Sequence, residues 1–195
     1  MKSSYLRAGA ALACTLALSA CGGGDGELVL GGSFAGVTKT GLVLTNNGGS
    51  DYAVPVPANS TGAGTFAFPT LVSTDDQYNV EVKARPSNTE TCEVRQGRGR
   101  AAFHVQTVQV ICTIKTHELK GTITGLKGEL VLVNGADRQT LGAGATSFTM
   151  AKVSEDAAYG VAVLQQPANQ SCTVANGSGT MGANDVTNVV VTCAP

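Results

Sequence analysis

The chain has no tryptophan and only 5 Phe and 4 Tyr among its 195 residues. Its core therefore cannot rest on large rings and must be filled by Val, Leu and Ala. Histidine is scarce as well: His104 and His117 are the only two. No Gly-x-Ser-x-Gly, His-Glu-x-x-His or Cys-x-x-Cys string occurs. A catalytic histidine needs a nucleophile or a metal held in geometry, so the sequence offers no motif for an enzyme, and none is expected. Charge of one sign is also missing. The formal charge is −1, and −3 without Lys2 and Arg7, which gives no electrostatic reason to expect nucleic acid as a partner. Beyond the N-terminus there is no long run of helical periodicity. Abundant Val and Thr, with 25 Gly, point instead to an all-β chain with many turns.

What is present is a cassette written twice. Cys172 to Cys193 reads Cys-x-Val-x-x-Gly-x-Gly, a short loop, then Val-x-x-Val-x-Val-x-Cys, and the same string stands at Cys92 to Cys112. Each copy is expected to be a β-hairpin clamped at its open end by its own disulfide. Four cysteines allow three pairings; the repeat favours Cys92–Cys112 and Cys172–Cys193. In both final strands the apolar parity slips, at Val105 to Val108 and at Val186 to Val189, which predicts a bulge there.

The rest of the chain repeats around the cassettes. Leu30, Gly32 and Phe34 are answered by Leu119, Gly121 and Ile123. Leu42-Val43-Leu44-x-Asn46 is answered by Leu130-Val131-Leu132-x-Asn134, and Tyr78-x-Val80-x-Val82 by Tyr159-x-Val161-x-Val163. The pitch is that of a whole domain and not of a solenoid unit. Repeat 1 spans 27–114 and repeat 2 spans 115–195. Lys115-Thr116 is a joint too short for independent motion. Each repeat offers about seven short strands. Asn46-Asn47-Gly48-Gly49-Ser50 is a strong turn signal, and Pro55 and Pro57 push the neighbouring strand to an edge. The predicted architecture is two tandem antiparallel β-sandwich (Ig-like or transthyretin-like) domains.

Residues 1–20 read as a targeting segment. Lys2 and Arg7 are followed by an apolar run from Ala8 to Leu18, too short for the roughly 20 residues of a spanning helix. Leu18-Ser19-Ala20-Cys21 resembles the lipobox of bacterial lipoproteins. That resemblance implies that Cys21 is the first residue of the mature chain and carries lipid, palmitate included. Gly22 after it, in place of the Asp that resembles an inner-membrane retention signal, points to the outer membrane. Residues 21–26 then form a glycine-rich tether, which cannot pack. An even number of paired cysteines suits the oxidising side of an envelope.

The string Gly-x-x-x-Gly-Leu, Leu-Val-Leu and Phe-x-Phe before Tyr-x-Val-x-Val resembles the carboxypeptidase regulatory-like (transthyretin-like) domain, with the disulfide cassette as a departure. The pair also resembles tandem repeats of cell-envelope lipoproteins from Gram-negative bacteria, which implies no particular biochemical role.

Candidate binding residues are those in which the copies differ. Arg95, Arg98 and Arg100 cluster in the first cassette where the second has Ala175, Ser178 and Thr180. Guanidiniums suit carboxylate or phosphate, so an envelope protein or an anionic surface is the expected partner. The loop from Asn46 to Ser50 is the second such place. Asp75-Asp76 and Glu155-Asp156 stand at matched turns, two acids each, short of the six to eight oxygens of Ca²⁺. No metal or cofactor is expected. An internal Lys–Asn crosslink would need Asn188, but the first copy has Thr107 there. The expected function is a lipid-anchored structural or binding module of the bacterial cell envelope; the alternative is an accessory subunit of an envelope enzyme or transport complex.

Overall fold

The computed structural model describes residues 26–56 and 61–195. The targeting segment, Cys21, the tether up to Asp25, and Pro57 lie outside the described residues. The first domain has eight strands: β1 Leu30–Ala35, β2 Val43–Asn46, β3 Gly49–Ala53, β4 Gly64–Ala67, β5 Gln77–Ala84, β6 Thr89–Arg95, β7 Arg98–Arg100 and β8 Val105–Ile114. The second repeats them: β9 Thr116–Thr124, β10 Leu130–Asn134, β11 Asp137–Leu141, β12 Ser147–Ser154, β13 Ala158–Gln165, β14 Ser171–Ala175, β15 Ser178–Thr180 and β16 Val186–Ala194.

Each domain is a sandwich of two four-stranded sheets. The first has orders β4-β1-β8-β6 and β3-β2-β5-β7; the second has β12-β9-β16-β14 and β11-β10-β13-β15. The repeat read from the sequence is carried into the layers. Leu30, Leu42 and Leu44 are fully buried in one copy, and Leu119, Leu130 and Leu132 are fully buried at the matched places in the other. Burying such a side chain is worth about 1.5–3 kcal/mol, so a core of Leu and Val suffices with few aromatics. The apolar clusters are separate: one ends at Cys112, and the other begins at Leu119. The Asn47 and Gly48 turn has both central residues at positive φ (52° and 72°), the geometry that matches strand twist in a two-residue hairpin. The strand before Pro55, β3, is an edge strand.

Two expectations need correction. The sandwiches are not wholly antiparallel. The first strand of each domain lies parallel to the last, β1 on β8 and β9 on β16. A parallel pair needs a long crossover connection, and here the whole domain lies between the two strands. The parity slip is resolved in this pairing: Leu30 faces Val105 but Gly32 faces Val108, and Leu119 faces Val186 but Gly121 faces Val189. One extra residue on the last strand is thus taken up against the first.

The cassettes are also not simple hairpins. Cys92 faces Cys112 across the antiparallel β6–β8 pair, and Cys172 faces Cys193 across β14–β16; both pairs are disulfides within one sheet. Between the cysteines the chain leaves that sheet. Gln96 turns at φ 53°, and β7 joins the opposite sheet beside β5. The second copy does the same with Asn176 and β15. The Gly-x-Gly of the cassette makes the crossing possible. A Cβ on Gly99 would stand 2.6 Å from the Tyr78 hydroxyl oxygen, and one on Gly179 would stand 2.8 Å from that of Tyr159. The crossing strand therefore lies directly on a tyrosine that only glycine admits. The cassette supplies three strands, not two, which raises the count from seven to eight.

A bridge closing a loop with sequence separation 20 contributes about 3 kcal/mol by restricting the unfolded chain. Replacing Cys92 and Cys112 together by Ala is expected to weaken amide protection across the first domain by that amount and to spare the second domain more. Equal loss in both domains, read by hydrogen exchange, contradicts two separately clamped cores.

Candidate functional site

The structure does not gather the three arginines on one tip. Arg95 ends β6 in the disulfide-bearing sheet, whereas Arg98 and Arg100 sit on β7 in the opposite sheet. The crossing separates them. Arg98 donates from Nε to Asn79 Oδ1 at 2.7 Å and from Nη2 to Glu81 Oε1 at 3.1 Å. Arg100 donates from Nη1 to the Asp75 carbonyl at 2.8 Å. These contacts are exposed, and a ligand would compete with weak partners.

The two places in which the copies differ do meet. Asn47, from the Asn46–Ser50 loop, lines one shallow hollow together with Gln77, Tyr78, Asn79, Arg98 and Arg100, with a volume of about 410 Å³. Asn47 Nδ2 donates to the Gln77 carbonyl at 2.9 Å. Asn46 is structural, because its Oδ1 accepts from Asn79 N at 3.0 Å, as Asn134 Oδ1 accepts from Gly160 N at 2.8 Å. The hollow presents amides, a phenol and two guanidiniums, donors suited to a carboxylate or phosphate.

The histidines have architectural surroundings. His104 Nδ1 accepts the Val29 N–H at 2.9 Å. At the matched position Asp185 Oδ1 accepts the Glu118 N–H at 2.8 Å, so His and Asp serve the same purpose, tying the incoming strand to the last one. His117 is 3.4 Å from Glu155 Oε2 and 3.9 Å from Asp185 Oδ1. Among the described residues no group of His, Cys, Asp and Glu is arranged to hold a metal. Asn188 is exposed, outside the core that an internal crosslink would need.

The acidic turns are offset by one residue from the sequence match. Asp75 N donates to the Ala101 carbonyl and Asp156 N to the Met181 carbonyl, each at 2.8 Å; Asp75 and Asp156 have φ 69° and 68°. Asp75 therefore corresponds to Asp156, and Thr74 to Glu155. The two turns also do different work. Asp76 Oδ2 accepts the Ser73 N–H at 2.9 Å, a local turn. Glu155 and Asp156 reach the other domain.

That contact is a polar clasp with no signature in the sequence. Lys39 Nζ lies 2.8 Å from Asp156 Oδ1 and 3.7 Å from Glu155 Oε1. Asn88, fully buried, donates from Nδ2 to Asp156 Oδ2 at 3.0 Å and to Thr38 Oγ1 at 2.8 Å. The joint is pinned from both sides: Lys115 N donates to the Asn88 carbonyl and Glu155 N to the Lys115 carbonyl, each at 2.9 Å. The hydrogen bond to Asp156 raises the pKa of Lys39 above its ordinary 10.5, against the opposing effect of burial. A raised lysine pKa means that this contact is intact below that value and is lost as pH rises through the elevated one.

Neither a protein-family model nor a curated protein matches the chain. Among solved structures, the major pilin protein T3.2 of Streptococcus pyogenes overlays with 11% identity and a TM-score of 0.37, covering 86% of this chain and 97% of that one. The shaft pilin SpaA of Lactobacillus rhamnosus GG overlays with 10% identity and a TM-score of 0.29, covering 87% and 100%. Superpositions this loose carry neither function nor site residues across.

Replacing Arg95, Arg98 and Arg100 together by Ala is expected to lower recovery of an anionic partner from envelope extract. The melting temperature should hardly move, since exposed ion pairs contribute only about 0–1 kcal/mol each. Unchanged recovery returns the three to solvated surface.

Proposed function

We propose that this chain is a lipid-anchored spacer of the bacterial cell envelope, a stiff two-domain arm held at the outer membrane by Cys21 and offering the Asn47–Arg98–Arg100 hollow as its binding surface. The observation that carries this reading is the junction. β8 ends at Ile114 and β9 begins at Thr116, and the one residue between them is hydrogen-bonded on both sides and flanked by the Lys39–Asp156–Asn88 clasp. Such a joint suits a protein that holds a surface at a fixed distance. The positively charged start, the apolar run and the Leu18-Ser19-Ala20-Cys21 string support the anchor, and the two cross-strand disulfides suit an oxidising compartment. The hollow holds no nucleophile beside a general base, so binding, not bond-making, is the chemistry it favours.

Mass spectrometry of the mature N-terminus tests the anchor. The expected first residue is Cys21 bearing acyl chains, in the membrane fraction, with Cys21→Ser protein soluble or unprocessed. An unmodified start at any other residue contradicts the reading. A stoichiometric enzyme or transporter retained through solubilisation would replace the spacer with an accessory subunit.

A further inference from the structure

Among the described residues, three large hydrophobic side chains are exposed: Phe103 at 82%, Leu164 at 49% and Leu71 at 41%. Phe103 and Leu71 stand at the pole of the first domain where the chain arrives from the tether. Leu28 bridges Val72 on one side, and Val29 is bonded through its carbonyl to Val105 and through its N–H to His104 on the other. Val72 and His104 thus flank the incoming strand, and Leu71 and Phe103 adjoin them in sequence.

Position and the comparison of copies both single out this pole. The five peptide steps from Cys21 to Gly26 reach at most about 17 Å when fully extended. A lipid on Cys21 therefore keeps the pole close to the membrane surface. In the second domain the matched pole lies against the first domain through Glu155 and Asp156. There the bridge of Leu28 with Val72 corresponds to the pairing of His117 with Val153, which places Lys152 at the position of Leu71. His104 corresponds to Asp185, which places Asn184 at the position of Phe103. The fold thus needs neither hydrophobe, and both occur on the copy whose pole is next to the anchor. Glu27, Asp75 and Asp76 stand at this pole against Arg100, so there is no cationic excess to draw acidic headgroups, and the surface is matched to membrane by its apolar side chains.

We infer that Phe103, with Leu71, inserts into the lipid interface beside the acylated Cys21 and seats the first domain on the bilayer. The inference rests on the anchor proposed above. The acyl chains on Cys21 hold the chain at the membrane without orienting it; an aromatic side chain at headgroup depth adds a second contact that fixes the tilt of the arm.

The absence of tryptophan supplies a clean probe. Phe103→Trp protein, full length and purified with its native N-terminus, is reconstituted into phosphatidylcholine vesicles with and without brominated acyl chains. Mass spectrometry first establishes acylation at Cys21. The expected result is a blue-shifted emission that loses most of its intensity with brominated lipid, equally in vesicles containing phosphatidylglycerol. Leu164→Trp, an exposed site on the second domain, should stay unquenched. Acylated protein whose Phe103→Trp emission is red and unquenched overturns the docking and leaves the anchor standing. Protein with no lipid on Cys21 overturns both.

Discussion

The arrangement depends on one covalent constraint: the strand that closes the first sandwich runs, through Lys115 alone, into the strand that opens the second. Each of these strands is central in its sheet, since β8 lies between β1 and β6, and β9 between β12 and β16. A joint between two central strands cannot swing without pulling on both cores. It also brings the Lys39 and Asn88 end of the first domain against the Glu155 turn of the second, which allows the clasp to form. The opposite pole of the first domain is left beside the tether. The clasp follows from that connection.

The disulfides act on the last strand of each domain. Cys112 is on β8 and Cys193 on β16, so each bridge fastens an edge strand to the strand that is paired in parallel with the domain's first. Cores with no tryptophan and few rings gain from this reinforcement, because a domain of this size buries a modest share of its surface. The bridge lies within a sheet and leaves the packing between sheets mainly to Leu and Val.

Much of this was legible in the residues. The matched positions of the repeat, Leu30 with Leu119 and Leu44 with Leu132, are buried alike in both copies, and repetition chose the cysteine pairing over its two rivals. The slip at Val105–Val108 marked the bulge because a period of two cannot absorb an extra residue on one face. What was not legible is long-range. Nothing local tells β7 to cross to the opposite sheet, because a Gly-x-Gly between two strands reads equally as a hairpin turn. The parallel pairing of β1 with β8 is set by the closure of the whole domain. The one-residue offset that matches Asp75 to Asp156 was hidden because adjacent acids in both copies align equally well in either register. The site was half legible. Comparing the copies pointed to Arg98, Arg100 and the Asn47 loop, and the fold brings those to one hollow, but it removes Arg95 to another sheet. The clasp left no trace in the repeat pattern, since Lys39 and Asp156 meet only because one copy follows the other.

Whether the two sandwiches form one stiff arm is decided by backbone ¹⁵N relaxation on the folded portion. Amides of both domains should fit a single rotational diffusion tensor, elongated along the line of β8 and β9, with Lys115 as ordered as its neighbours. Separate, faster tumbling for each domain, with raised mobility at Lys115 and Thr116, would contradict a stiff joint.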